Sequence, residues 1–324
     1  GWYHHQPVND QKASSKACSA DIALISNGPI LAELRTRTRM MVPESFDSRR
    51  GTRDGHLVEL AAESTITLRR GQNFVEVSTR VVNPARDHRL RVLFPSGAKA
   101  KTFLSDAAFD VVERPVALRA DNHLYREMEI EAKPQQSWSA VYDTRRGLAV
   151  ISDGSLLEAC VRDTPDRPII LTLFRSTGRT VMTQGEPNGQ LLGHDMSFRY
   201  RIVPLRGSPD RTAIFHSAQE LAGGFKSCQL VAKDVALKKS GTSLPPQDSL
   251  IEVTGDAVVT SSRIVGKNLE VRLFNPYSHA IRSAVRAGNS LDVKHSRIVN
   301  FLSQPVKFKI TQRSRTVGFQ LTPK

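Results

Sequence analysis

The sequence predicts an all-β chain, a large antiparallel unit followed by a smaller β-sandwich. Three observations predict it. Apolar and polar residues alternate with period two along nearly the whole length. Gly, Pro and Asn clusters punctuate these runs at short intervals. Strands do not alternate with long helical patterns, which disfavours a Rossmann sheet or a (β/α) barrel.

The first clear run, Leu57 to Leu68, ends in alternation and meets a turn at Arg70-Gly71-Gln72-Asn73. Phe74 to Val82 alternates again, Asn83-Pro84 and Asp87-His88 interrupt it, and Arg89 to Phe94 resumes it. One buried and one wet face per strand is the signature of antiparallel sheet, and Thr, Val and Ile suit its pleated surface. Further strands are expected at Trp138 to Tyr142, Leu148 to Ile151, Ile169 to Phe174 and Met196 to Val203. Gly147, Gly154, Pro165, Pro168 and Gly185 to Gly189 supply turns. One helix is expected over Ala213 to Leu221, stopped by Gly223-Gly224. The segment Lys238 to Ser249 is polar and rich in Pro and Gly, so residues 236–250 read as a linker between domains at 1–235 and 251–324. Short strands follow at Ile251 to Val253, Ala257 to Thr260, Leu269 to Phe274, Val306 to Ile310 and Thr316 to Leu321.

Composition narrows the function classes. A 39% hydrophobic content excludes a disordered chain. No apolar run approaches the ~20 residues that span a bilayer, so no membrane partner is expected. Cys18, Cys160 and Cys228 are sparse and widely spaced, which argues against disulfides and structural zinc and favours a reducing cytoplasm. The net charge of +14 invites a nucleic-acid reading. Its distribution opposes that reading. Arginine supplies 32 of 46 basic residues, spread over the length with no long run and no interleaved aromatic platform. Solvated, arginine-rich strand faces are expected instead. The chain begins at Gly1 without a signal-peptide pattern, which suggests a processed or truncated chain.

Searching for chemistry returns few motifs. GxGxxG after a strand, GxxxxGK[ST], HExxH and GxSxG are absent. His4-His5 beside Trp2 and Tyr3 reads as a frayed terminus or as an aromatic edge for a sugar ring. Gly193-His194-Asp195 reads as a loop cap or as an oriented hydrogen-bonding group. Asp143, Asp153, Glu158, Asp163 and Asp166 crowd one region. Glycoside hydrolysis needs two carboxyl groups, but strand-end solvation explains these equally well.

Several strings carry a resemblance. Asp87-His88-Arg89-Leu90-Arg91-Val92-Leu93-Phe94-Pro95 resembles a hallmark of the C-terminal region of glycoside hydrolase family 38, the α-mannosidases. Asn27-Gly28-Pro29-Ile30 and Val58-Glu59-Leu60 precede it in the same order, and Phe109 to Pro115 follows. Arg146 to Ile151, Leu171 to Ser176, Gly193-His194 with Phe198-Arg199-Tyr200, and Val271 to Pro276 complete the series. The resemblance implies a galactose mutarotase-like β super-sandwich followed by a small sandwich, in a bacterial type of the family. It implies a zinc-dependent retaining exo-α-mannosidase in which this chain is the non-catalytic β portion. Catalytic carboxylates and zinc ligands would lie on an absent α/β barrel, leaving no catalytic residue, metal site or cofactor in this chain. The expected partners are an α-mannoside and that barrel, with no nucleic acid and with homo-oligomer formation open. Gly1-Trp2-Tyr3 matches the family's Gly-x-Tyr, which implies that Tyr3 reaches the substrate. Arg162, or alternatively Arg175, would be the arginine contributed from a later strand, and His194 a further substrate contact. The alternative is a stand-alone carbohydrate-binding or mutarotase-like protein using His194 with Glu158.

Overall fold

The computed structural model of the chain describes residues 14, 18–47, 50–178, 187–229, 247–289 and 291–323. It forms two compact units. The first comprises residues 1–108, 112–210 and 217–222, and the second 109–111, 211–216 and 223–324. Residues 230–246, which include most of the expected linker, lie outside the described residues.

The first stretch of chain carries β1 (Ser19–Asn27), β2 (Leu31–Pro43), the short pair β3 (Phe46–Asp47) and β4 (Thr52–Arg53), β5 (Leu57–Arg69), β6 (Val75–Val82) and β7 (Arg89–Phe94). Next come β8 (Thr102–Ala107), β9 (Asp110–Pro115), β10 (Lys133–Pro134), β11 (Trp138–Tyr142), β12 (Gly147–Ser152), β13 (Glu158–Val161), β14 (Ile169–Arg175) and β15 (Asp195–Leu205). Nine strands form one sheet in the order β1-β2-β5-β6-β15-β12-β11-β8-β9, and four form another in the order β10-β13-β14-β7. Registered pairs in both sheets are antiparallel. This is the expected all-β super-sandwich.

Alternation decides which face is buried. Along β6, Val77, Thr79 and Val81 are buried while Ser78, Arg80 and Val82 are exposed. Leu60, Val77, Val81, Phe198 and Tyr200 from the nine-stranded sheet share one core with Phe94, Ala159, Val161, Ile169 and Leu171 from the four-stranded sheet. A fully covered aliphatic side chain contributes roughly 1.5–3 kcal/mol. The β11–β12 hairpin closes so tightly that a Cβ on Gly147 would meet the Val141 carbonyl at 2.5 Å, so only glycine fits there. Beyond the core, Ser139 hydroxyl lies 2.8 Å from that of Ser105 and donates to Gln135 Oε1 at 2.7 Å, so these buried polar groups satisfy one another.

Not every arginine is solvated. Arg201 on β15 is buried, donates to Glu76 at 3.0 Å and to Glu220 at 3.2 Å, and stacks 4.2 Å over the Phe74 ring.

The helix α1 (Arg211–Gly223) extends the expected one by two residues at each end. The second unit carries β16 (Ile251–Gly255), β17 (Val258–Val265), β18 (Asn268–Phe274), β19 (Ile281–Ala287), β20 (Ile310–Arg313) and β21 (Thr316–Leu321). Its sheets are β16-β19-β21-β20 and β17-β18. The strand expected over Val306 to Ile310 is displaced. Residues 306–309 lie outside any strand and β20 starts at Ile310. Among the described residues no helix is long and apolar enough to cross a membrane.

Candidate functional site

On β7, β13 and β14, Leu90, Val92, Phe94, Ala159, Val161, Ile169 and Leu171 face the core. The residues between them therefore take the opposite face. That places Arg89, Arg91, Glu158, Cys160 and Thr172 together, with Arg175 registered against Arg89. Glu158 organises the middle of this strip. Its Oε1 accepts from Arg89 at 3.1 Å and from Thr172 Oγ1 at 2.7 Å. Burial lowers the pKa of the Arg91 guanidinium, and neighbouring Arg89 pushes the same way. Burial, then Arg89, lowers that of Arg175 as well. Burial pushes the Cys160 thiol up to about 11, so it is not a reactive nucleophile at neutral pH.

The two arginines expected as alternatives occupy opposite ends of this strip. Arg162 follows β13, and its backbone N–H donates to the Pro168 carbonyl just before β14 begins. Its side chain points to Glu131 at 3.4 Å. Arg175 ends β14 beside Arg89. A seven-residue strand spans about 20 Å, so the two mark different places. Four guanidinium groups, of Arg89, Arg91, Arg162 and Arg175, thus share this face with Glu158 and Glu131, around a middle that is buried at Cys160 and Ile170.

His194 lies in a hydrogen-bonded knot built around the hallmark string. Asn83 N–H donates to the His194 carbonyl at 3.2 Å, Gly193 N–H donates to the Asn83 carbonyl at 2.8 Å, and the Asn83 amide donates to the Gln190 carbonyl at 2.8 Å. Gln190 reaches Asp87 in both directions, donating from Nε2 at 2.8 Å and accepting the Asp87 N–H at 2.9 Å. Ser176 hydroxyl donates to the Gln190 carbonyl at 2.8 Å. Asp87 sits at φ 53°, a left-handed conformation that aspartate tolerates. His194 itself is exposed, and its backbone serves the loop. His88 is the perturbed imidazole. Its ring packs edge-on to Phe174 at 5.3 Å, and burial pulls its pKa down to about 4, so it is neutral at pH 7.

The crowded carboxylates separate into local roles. Asp143 accepts the N–H groups of Lys99, Arg145 and Arg146, which hold its pKa near 2. Asp153 accepts from Ser155 and lies 3.8 Å from Arg199. Asp163 pairs with Arg167, and the Asp166 carbonyl ties down Ser96 and Gly97. Sequence reading missed Asp106, whose pKa burial raises to about 6 while it accepts the Ser137 N–H at 3.1 Å. It also missed Arg89 and Arg91 as site material, although their alternation with Leu90 and Val92 was the available signal.

Among the described residues no group of three or more His, Cys, Asp or Glu is placed to hold a metal ion, so these residues do not fit a zinc centre. Tyr3, with Gly1-Trp2 and His4-His5, lies outside the described residues.

Comparison with known proteins fixes the context of this geometry. A protein of Halalkalibacterium halodurans named "Putative mannosylglycerate hydrolase" is 21% identical over 316 residues, covering 88% of this chain and 32% of that protein. An α-mannosidase structure from Enterococcus faecalis V583 superposes with a TM-score of 0.80 at 22% identity, over 97% of this chain and 36% of that one. A family 38 glycosyl hydrolase structure from Enterococcus faecalis gives 0.78 at 22% identity, over 97% and 38%. The chain thus spans about a third of the length of the relatives it matches. The model of the glycosyl hydrolases family 38 C-terminal domain matches residues 2–178, more than half of the chain, and the chain belongs to that family.

Proposed function

We propose that the protein acts as the C-terminal β portion of a zinc-dependent retaining α-mannosidase, completing one wall of an active site whose catalytic groups lie on a barrel domain. The observation that carries this reading is the family match over residues 2–178, in a chain whose relatives are about three times as long. In this reading Tyr3 and one end of the arginine strip, Arg162 or Arg175, bind and orient the hydroxyls of the terminal mannose, with His194 as a further contact. A tyrosine hydroxyl both donates and accepts, and a guanidinium donates in a fixed fork, so each restricts how a sugar ring can lie. The nucleophile, the acid/base and the zinc ligands belong to the barrel. The name of the Halalkalibacterium halodurans relative makes mannosylglycerate the first substrate to try, and the reading includes a cytoplasmic role in mannose metabolism.

The test is hydrolysis of an aryl α-mannoside. The full protein cleaves it, the 324-residue chain alone does not, and Tyr3→Phe lowers kcat/KM about tenfold, the worth of one hydrogen bond. Cleavage by the isolated chain overturns the proposal. An unchanged kcat/KM in Tyr3→Phe removes Tyr3 from it.

A further inference from the structure

Ala108 and Phe109 make the turn between β8 and β9, and Phe109 sits at φ 59°. That is the left-handed region, sterically unfavourable for any residue with a Cβ and unusual for a bulky aromatic. Glycine would hold the same turn without strain. Burial does not repay the strain, because the Phe109 side chain is 54% exposed.

A second element displays aromatic surface in the same way. In the loop 300–304, Asn300 Oδ1 accepts the N–H groups of Leu302 and Gln304 at 2.9 and 3.0 Å, and Asn300 N–H donates to the Gln304 carbonyl at 2.9 Å. The polar groups are spent on holding the loop. Its large apolar residues point outward, with Phe301 68% exposed. Residues 109–111 belong to the same compact unit as this loop. The Phe109 and Phe301 rings meet edge-on with centroids 6.0 Å apart. The Arg272 guanidinium lies 4.8 Å over the Phe301 ring. A cavity of ≈ 230 Å³ opens beside Phe109, walled by Phe274, Phe308 and Leu321.

We propose that this cluster is a saccharide-binding subsite that takes a pyranose ring of a mannose-containing glycan against Phe109 and Phe301, with Arg272 donating to a ring hydroxyl. A pyranose has an apolar C–H face and a hydroxylated rim, which matches exposed rings flanked by a guanidinium. Phenylalanine has no polar tip, so the hydrogen bond comes from the neighbouring cation. Strain kept at an exposed residue is the mark of a position held for binding at the expense of stability. The choice of mannose rests on the function proposed above.

The test is affinity electrophoresis of the full protein through gels containing yeast mannan, with methyl α-mannopyranoside as competitor. Phe109→Gly raises the melting temperature and weakens retardation roughly tenfold, the worth of one aromatic contact. Phe301→Ser weakens it similarly without touching the strained turn. Retardation unchanged in both variants overturns the subsite, and so does a lower melting temperature in Phe109→Gly, which would make the ring a packing group. A change confined to sedimentation, with retardation intact, assigns the cluster to a protein partner and also overturns it. Aryl mannoside hydrolysis is measured on the same samples. Retardation without hydrolysis defeats the mannosidase reading and leaves the subsite standing, and hydrolysis without retardation does the reverse.

Discussion

On β14 of the first unit, Ile169, Ile170 and Leu171 are all but fully buried, and the core draws on strands from both sheets. On β18 of the second unit, Leu269, Val271 and Leu273 remain only partly covered. The strands read alike in sequence. They differ in what lies opposite them. The four-stranded sheet lays a second layer over the nine-stranded one, whereas β17 and β18 form a two-stranded ribbon. Two-stranded ribbons cover little surface, and a layer of apolar side chains gains its full stabilisation only under another layer. Part of the second unit's apolar surface is thus displayed, and Ile264, Phe301 and Leu302 are among its most exposed members.

The greatest loss of stability is expected in the layered core. Leu171→Ala costs about 2–5 kcal/mol by deleting a fully buried side chain, and Leu269→Ala costs about 1 kcal/mol. Denaturant unfolding of the two variants checks this, and equal losses would erase the difference between the units.

Buried charge sharpens it further. The Asp106 carboxyl is pushed up to about 6 by burial, above its unfolded value of 3.8. Its neutral form supports the fold, and this contribution is lost as pH rises through 6. Asp106→Asn therefore matches the parent near pH 4 and exceeds it by roughly 3 kcal/mol at pH 7. Urea midpoints measured across that range decide it. His88 works in the opposite sense, with a folded pKa of about 4 against 6.5 unfolded. Its contribution is present above 6.5 and is lost as pH falls toward 4. His88→Leu is expected to flatten that acid slope, a difference of roughly 2 kcal/mol at pH 5. An unchanged slope would place the titrating group elsewhere.

The smallest effect is expected at the surface. Arg80 donates to Asp195 on the exposed face of β6 and β15, where water competes for both partners. Arg80→Ala should leave the unfolding midpoint unchanged at physiological salt, and a clear shift would mean that this face is covered.

Much of the fold was legible because alternation is a local signal. Arg89 to Phe94, Trp138 to Tyr142 and Thr316 to Leu321 match their strands residue for residue. Val306 to Ile310 alternates just as well, yet residues 306–309 join no sheet. Alternation marks an extended segment and says nothing about whether a partner strand is present to take its N–H groups. The hallmark string was also legible, but not its purpose. Its Asp87 meets Gln190, which lies 103 positions away, and no local pattern announces that bond.

Local periodicity and short strings are enough to mark the chain as a β protein, to place most of its strands and to show which family it resembles. Tertiary structure alone decided that Arg162 and Arg175 stand at opposite ends of one strip, that His88 and Asp106 are held with shifted pKa values, and that Phe109 meets Phe301. Those outcomes depend on strand register, burial and contacts across long stretches of chain. They are set when sheets pair and stack, not by any neighbour in sequence.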